Sequence, residues 1–392
     1  MSELRLLLAG DVMTGRGIDQ LLPHPVDPQL HEPVVRDARD YIRLAEARHG
    51  SIPRPVTPAY PWGDALAAME AMAADVRIIN LETAITTAPE PWPQKEIHYR
   101  MHPHNISCLT AAKLDLCCLA NNHSLDWGWN GLSETLHCLQ KAGIATVGAG
   151  LSAHQAQRPA VLPLSTGERG DRLLVFAWAV ASSGVPPSWA VNADHPGVAF
   201  LPQLNGGTAR WLARFVLKHR HPGDRVVLSL HWGGNWVPAI PERHQWFARQ
   251  LIDLADIDVV FGHSSHHPLP FEIYRDKLIL YGCGDLLNDY EGIGEHSPWR
   301  SDLGCLYGVR LDRNTGQLLG LDIQPWLIKR FQLQQAGPAD QRWLEQQLKL
   351  AAIAEQWPSH GKPGEGVHLR RTSGGASAPP SCQWARGQST PA

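Results

Sequence analysis

Several large protein classes are excluded by what this sequence lacks. No apolar run is long enough to cross a bilayer. The run at residues 4–9 is too short, and no basic region or cleavage site precedes it, so it reads as a first buried strand. Neither sign of charge dominates: 35 Lys and Arg stand against 38 Asp and Glu, a formal net charge of -3. That balance argues against a broad basic face for nucleic acid. It leaves a small anionic substrate open, because a metal ion can supply positive charge locally. None of the seven cysteines forms a CxxC pair, and several sit in apolar runs. Free thiols in a reducing compartment are expected, and with them a cytoplasmic location. There is no internal repeat and no HExxH motif, so no single segment establishes metal binding.

What is present is enough apolar sequence for a large core: 43% of 392 residues are hydrophobic. Strand candidates at residues 4–9, 76–80, 116–119 and 144–147 alternate with helix candidates at 65–74, 106–113 and 130–142. Apolar segments follow at 160–164 and 173–177. Next come a helix at 204–217, a strand at 226–230, a helix at 243–254 and a strand at 259–261. Strand pairs close the pattern at 271–274 with 278–281, and at 303–311 with 318–327. Alternation first and antiparallel strands last predict an α/β fold with mixed sheets, a two-sheet sandwich flanked by helices. The Pro- and His-rich stretch 23–61 reads as an insertion or large loop with one helix near 35–48. A last helix is expected over 340–357, followed by a disordered tail over 358–392, where Gly, Pro, Ser, Gln and Arg dominate.

Five polar motifs each follow a strand candidate: Gly10-Asp11, Asn80-Leu81-Glu82, Asn121 to Asp126, His231 to Gly234, and Gly262 to His267. Ligands of α/β sheets gather outside the carboxyl ends of strands, so motifs distant in sequence can meet there. Carboxylates suit hard and borderline divalent ions, and imidazole adds affinity for zinc, iron or manganese. Asn122 offers a neutral carbonyl oxygen. Each residue also has a plain structural reading: Asp11 as a turn cap, Glu82 as a solvated loop residue, Asn122 and His123 as a hydrogen-bonded turn. His231 can be an interior histidine, and His263 and His266 part of a polar loop. Repeated placement at strand ends weighs against all five plain readings holding together. Trp127, Trp232 and Trp236 lie in or near these motifs and read as a substrate wall or as ordinary packing.

The pieces GDVMTGRG, NLETAIT, LANNHSLDWG, AGIATVGAG, SLHWG and GHSSHHPLPFEIY resemble the CapA capsule-synthesis proteins, linked to poly-γ-glutamate biosynthesis. These belong to the wider calcineurin-like metallophosphoesterase superfamily. The resemblance runs from about Leu4 to Leu327 and implies one domain over 1–330, a four-layer α/β/β/α sandwich with mixed sheets. It implies two divalent metal ions (Mn, Fe or Zn), with Asp11 as the opening metal ligand, Glu82 in the bridging place, and Asn122, His231, His263 and His266 as further ligands. His123 would face the substrate as the catalytic acid or base. The closing histidines carry one residue more than the usual Gly-His-x-His. Met13 stands where Asp-x-His is common, and a thioether is a poor ligand for hard ions. One metal would then bind weakly, recruit His267 or Asp285, or be missing.

The activity expected first is hydrolysis of a phosphoester or related small substrate by metal-activated water. The alternatives are synthesis or cleavage of an amide-linked γ-glutamyl polymer or peptide, and a non-catalytic binding or assembly role. The partners expected are a small-molecule or short-polymer substrate and a biosynthetic complex. No nucleic acid and no membrane span are expected.

Overall fold

A computed structural model of the chain describes residues 3–164, 171–293, 299–350, 357–360 and 366–370. The strand Glu3–Val12 is buried on both faces over Leu6, Leu7, Leu8 and Ala9 because it lies in the middle of a sheet covered on both sides. On one flank it pairs in parallel with Val76–Leu81, which leads on to Leu116–Cys118 and Ala145–Val147. On the other flank it pairs antiparallel with Leu303–Asp312, itself hairpinned to Leu318–Lys329. The parallel half is built from strand–helix alternation and the antiparallel half from the late hairpin, as the order of apolar segments predicts.

The second sheet runs Phe200–Leu201, Arg172–Val180, Arg225–His231, Val259–His263, Lys277–Leu280, Phe271–Tyr274. Its side chains alternate between two cores. Leu174, Phe176 and Trp178, with Val226, Leu228, Leu230, Val260 and Ile279, pack with Leu212, Val216, Phe247 and Leu251 of the helices Gly206–His219 and Glu242–Ala255. Leu173, Val175, Ala177, Val227, Val259 and Phe261 instead join the core shared with the first sheet. This period of two defines a sandwich with helices outside both sheets. The expected α/β sandwich with mixed sheets is the fold.

Three boundaries differ from expectation. The helix in the 23–61 insertion is Arg39–His49, and it buries Tyr41, Ile42 and Ala45. The helix expected over 340–357 is Pro338–Gln347, with 351–356 outside the described residues. A disordered tail beginning at 358 is corrected: Ser359–His360 and Val367–Arg370 are strands that extend the first sheet past Leu318–Lys329. Val367 and Leu369 are buried and alternate with more accessible His368 and Arg370, a strand period that the polar composition hides. The remainder of that stretch, 361–365 and 371–392, lies outside the described residues. Among the described residues, no helix is long and apolar enough to cross a membrane.

Candidate metal centre

Backbone register assembles the site before side chains are considered. Asp11 lies opposite Asn80 on one neighbouring strand and opposite Asp285 on the other, the short strand Asp285–Leu287. In the second sheet His231 lies directly opposite His263. Because Val226, Leu228 and Leu230 face the helices, Ser229 and His231 face the space between the sheets, and His263 follows from Val260 in the same way. Close approach needs glycine at one point. A β-carbon on Gly10 would lie 1.9 Å from the Gly284 carbonyl oxygen, to which the Asp11 amide donates at 2.9 Å.

Two buried groups of ligand atoms result, Asp11 with His231 and His263, and Asp11 with His266 and Asp285, each set within 4.8 Å of one another. Asp11 is common to both, which is the place the family resemblance gives to Glu82. Glu82 stands beside them, fully buried. Its Oε1 has no hydrogen-bond partner among the described residues and lies 3.6 Å from His123 Nε2. Asn80 holds Asp11 by donating to its Oδ1 at 2.7 Å, and the Ser264 amide donates to Oδ2 at 3.1 Å. Ser264 and His266 both have positive φ (96° and 59°), so the extra residue in the closing motif is absorbed by a tight, strained loop. His266 Nδ1 is 2.7 Å from Asp285 Oδ1.

The electrostatics fit cations. Burial, then repulsion from Asp285, pushes the Asp11 carboxyl up to about 6. Burial, then Asp11 and Asp285, pushes Glu82 well above the carboxylate range. Asp11 and Glu82, buried side by side, cannot both ionise without positive charge among them. The second-sheet imidazoles, His231 and His263, are pressed toward neutrality from the other side. Burial takes His263 down to about 3 and, with His263 and His266 nearby, takes His231 well below its ordinary value. His231 Nε2 faces Asn122 Oδ1 at 3.0 Å, and an amide oxygen only accepts, so Nε2 carries the proton. The Nδ1 lone pair of His231 then points at His263 Nδ1, 2.6 Å away, where a proton or a cation has to meet it. Neutral imidazoles, clustered carboxyls and an unpartnered buried Glu82 oxygen together form a donor set that fits divalent metal ions.

His123 is oriented from behind. Its Nδ1 is 2.6 Å from Asp126 Oδ2, and burial pushes the ring down to about 4. Burial works against the Asp126 charge, but His123 and Lys95 outweigh it and hold the carboxyl below its usual range, so Nδ1–H donates and Nε2 is left facing Glu82. Lys95 binds the other Asp126 oxygen at 2.6 Å, and Tyr99 meets the ring edge-on at 4.7 Å.

Other expectations are corrected by geometry. Trp232 is buried in the helix-side core, stacked on His244 at 4.4 Å, and Trp127 lies under the Arg100 guanidinium at 3.7 Å, so neither forms a substrate wall. Trp236 does reach the site, stacked on His266 at 5.4 Å. His267 is not in either ligand group. Its Nδ1 meets the Ser265 carbonyl at 2.9 Å, and its ring lies between Trp236 and Trp299. Asp285 is in the second ligand group, whereas Met13 is buried with its sulfur 3.5 Å from the Tyr290 hydroxyl. Lys95, Asn80 and Ser229 went unassigned in the sequence. Lys95 sits in a proline-rich stretch without period, while Ser229 is readable as the inward neighbour of His231, two residues before it.

These features define a metal-binding α/β sandwich protein with a centre shared between two sheets. Residues 5–290 match the bacterial capsule synthesis protein family PGA_cap, and the chain belongs to that family. A probable polyglutamine synthesis accessory protein of Mycobacterium tuberculosis is 48% identical over 345 residues, 88% of this chain and 90% of that protein. The PGA biosynthesis protein CapA of Bacillus subtilis is 26% identical over 224 residues, 55% of this chain and 54% of that protein. The crystal structure of a novel phosphatase from Mycoplasma pneumoniae is similar with a TM-score of 0.44 at 13% identity, covering 83% of this chain and 94% of that one.

Proposed function

We propose that this protein works in the synthesis or cleavage of an amide-linked glutamyl polymer or peptide, through a divalent-metal centre. Asp11, His231, His263, His266 and Asp285 would hold the ions, with Glu82 and Asn122 beside them. The observation that carries the chemistry is one buried carboxyl, Asp11, belonging to two ligand groups at once. The names of the relatives, polyglutamine synthesis and PGA biosynthesis, support the substrate class. Divalent ions bound there would polarise the scissile carbonyl and lower the pKa of water. His123, neutral and fixed by Asp126 at Nδ1, takes a proton at Nε2 and returns it to the leaving nitrogen. Asp126 and Lys95 hold the ring in place during that exchange. Trp236, stacked on His266, gives the site an apolar edge for the polymer chain.

A second reading, phosphoester hydrolysis, is supported by the same donor set, since carboxyls and imidazoles serve phosphoryl oxygens equally well. The test is purified protein reconstituted with Mn, Zn or Fe and offered γ-glutamyl peptides, γ-linked glutamate polymer, phosphomonoesters, phosphodiesters and nucleotides. Glutamyl amide turnover lost in Asp11→Ala supports the first reading. Turnover of phosphoesters alone replaces it with the second, and no turnover by metal-loaded protein leaves the binding or assembly role.

A further inference from the structure

The first strand carries a second concentration of chemistry far from the metal centre. Arg5 lies six residues before Asp11, on the order of 20 Å away along an extended strand. Register places Arg5 opposite Arg310, Arg310 opposite Gly320, and Gly320 opposite Arg370, one line across four neighbouring strands. The adjacent line sets Gly308 opposite Asp322 and Asp322 opposite His368. Register partners point to the same face of a sheet, so three arginines share one face, with Gly320 between Arg310 and Arg370 and Gly308 in the adjacent line. The glycines leave a trough. A β-carbon on Gly320 would lie 2.5 Å from Arg310 Nη2, so a side chain there would displace that guanidinium. The result is a cleft of about 290 Å³, walled by Ala68 and Met72 and lined by Arg5, Arg310, Arg370 and Gln324.

The donors of this cleft are underused. The side chains of Arg5 and Arg310 are 49% and 25% exposed, and each approaches Glu3 at 3.5 Å. Among the described residues, Arg310 Nε is buried without a hydrogen-bond partner. Arg370 is held by Asp322 at 2.7 Å, and His368 meets the same carboxylate at 2.6 Å. Of the acids nearby, Asp322 is already engaged by Arg370 and His368, and Glu3 stands 3.5 Å from both Arg5 and Arg310, whose guanidinium lies over Gly320. The wall adds an opposite demand: among the described residues, Gln324 Oε1 is a buried acceptor without a donor. A ligand that satisfies both must carry carboxylates for the guanidinium groups and N–H donors for Gln324.

We propose that this trough is a second binding site for an extended, amide-linked chain of carboxylate-bearing residues, holding a glutamyl polymer while another part of it reaches the metal centre. The substrate class rests on the function proposed above, while the site rests on the cleft itself. A chain laid across the strands meets Arg5 and Arg310 on adjacent strands and Arg370 two strands further, at a strand spacing of about 4.8 Å. A γ-glutamyl dipeptide is too short to occupy both sites.

The experiment uses the full-length, metal-loaded protein, a fluorescently labelled long γ-linked glutamate oligomer for anisotropy, and a γ-glutamyl dipeptide for turnover. Arg5→Gln combined with Arg310→Gln should weaken oligomer binding by about tenfold or more. Binding should also weaken with salt, and dipeptide turnover and the melting temperature should hold. The single variant Arg5→Gln, at an exposed side chain, should show a smaller loss in the same direction. Oligomer binding as tight in the double variant as in wild type overturns the cleft while leaving the substrate class standing. A sulfated polysaccharide competing as well as the glutamate oligomer overturns the carboxylate and amide specificity. Failure of wild type to bind any glutamate oligomer, with phosphoesters turned over, overturns the proposal together with the reading beneath it.

Discussion

The two sheets bring opposite chemistry to one place. The first sheet delivers carboxyl groups, Asp11, Glu82 and Asp285, and the second delivers imidazoles, His231 and His263. Burial drives both halves toward neutrality from opposite sides, raising Asp11 to about 6 and lowering His263 to about 3. The difference decides what competes with a metal. A proton occupies Asp11 at mildly acid pH, whereas His263 keeps its lone pair free down to strongly acid pH. His266 bridges the two. Burial opposes its charge, but Asp285 and Asp11 outweigh burial and raise it, because its loop leaves the second sheet and ends against the first.

Breaking the shared carboxylate should have the largest effect. Asp11→Ala should abolish binding of both ions, while His231→Ala and Asp285→Ala should each remove one, measured by elemental analysis after reconstitution with Mn, Zn or Fe. Loss of only one ion in Asp11→Ala would mean that Glu82 is the bridge after all. The same half sets the pH dependence. Protonated Asp11 cannot ligate, so metal affinity should be full above pH ~7 and fall as pH drops through about 6. Affinity that stays flat down to the pKa of the imidazoles would place the competing proton on the second sheet instead.

Next in size is His123, which belongs to the first sheet but behaves like the second, neutral through burial. His123→Ala should lower turnover by about 10²–10⁴-fold with metal content intact, because it removes the proton carrier and no member of either ligand group. Unchanged turnover, with folding and metal content verified, would leave the ring as a brace for the turn ending at Asp126.

Much of this is legible in the amino-acid sequence alone. Five motifs at strand ends do converge, because strand direction and order are carried by apolar periodicity. The tryptophans show where reading stopped short. His231 and Trp232 are consecutive on a strand, so if one faces the site the other cannot, and Trp232 duly enters the helix-side core. Trp236 lies beyond the strand on a positive-φ backbone, which no period describes. Asp285 is named in the sequence only beside His267 as a possible recruit, since choosing between them depends on pairing with Asp11 across 274 residues of chain, a register that composition does not encode. That pairing makes a smaller prediction. Asp285 already stands in the second ligand group, and the Met13 sulfur is engaged with the Tyr290 hydroxyl, so Met13→His should change the affinity of that group by less than about tenfold. Titration calorimetry showing a much tighter second ion would mean that Asp285 is a weak substitute.

The smallest effect expected separates burial from the site itself. His244 lies outside both ligand groups, stacked on Trp232 with an interplanar angle of 8°, and burial alone pushes it down to about 4. It therefore shows what the second sheet's surroundings do to an imidazole without a carboxyl or a metal nearby. On acidification the unfolded chain takes the proton first, near the ordinary value of ~6.5, while the folded ring resists until about 4. The stability contributed by the neutral ring is thus fully present above pH ~6.5, declines as pH falls, and is gone below about 4. In His244→Phe the stack is kept and the titration removed. The stability of this variant relative to wild type should rise between neutral pH and pH ~4 by on the order of 2–3 kcal/mol, read from urea unfolding at both ends. Metal loss and the titration of His123 and His263 act on both proteins alike, so the difference isolates His244. A difference that does not change with pH would show that the folded ring accepts its proton as readily as the unfolded one. Burial would then be too weak a cause for the neutrality of the imidazole half, and the mutual contacts of His231 and His263 would have to supply it.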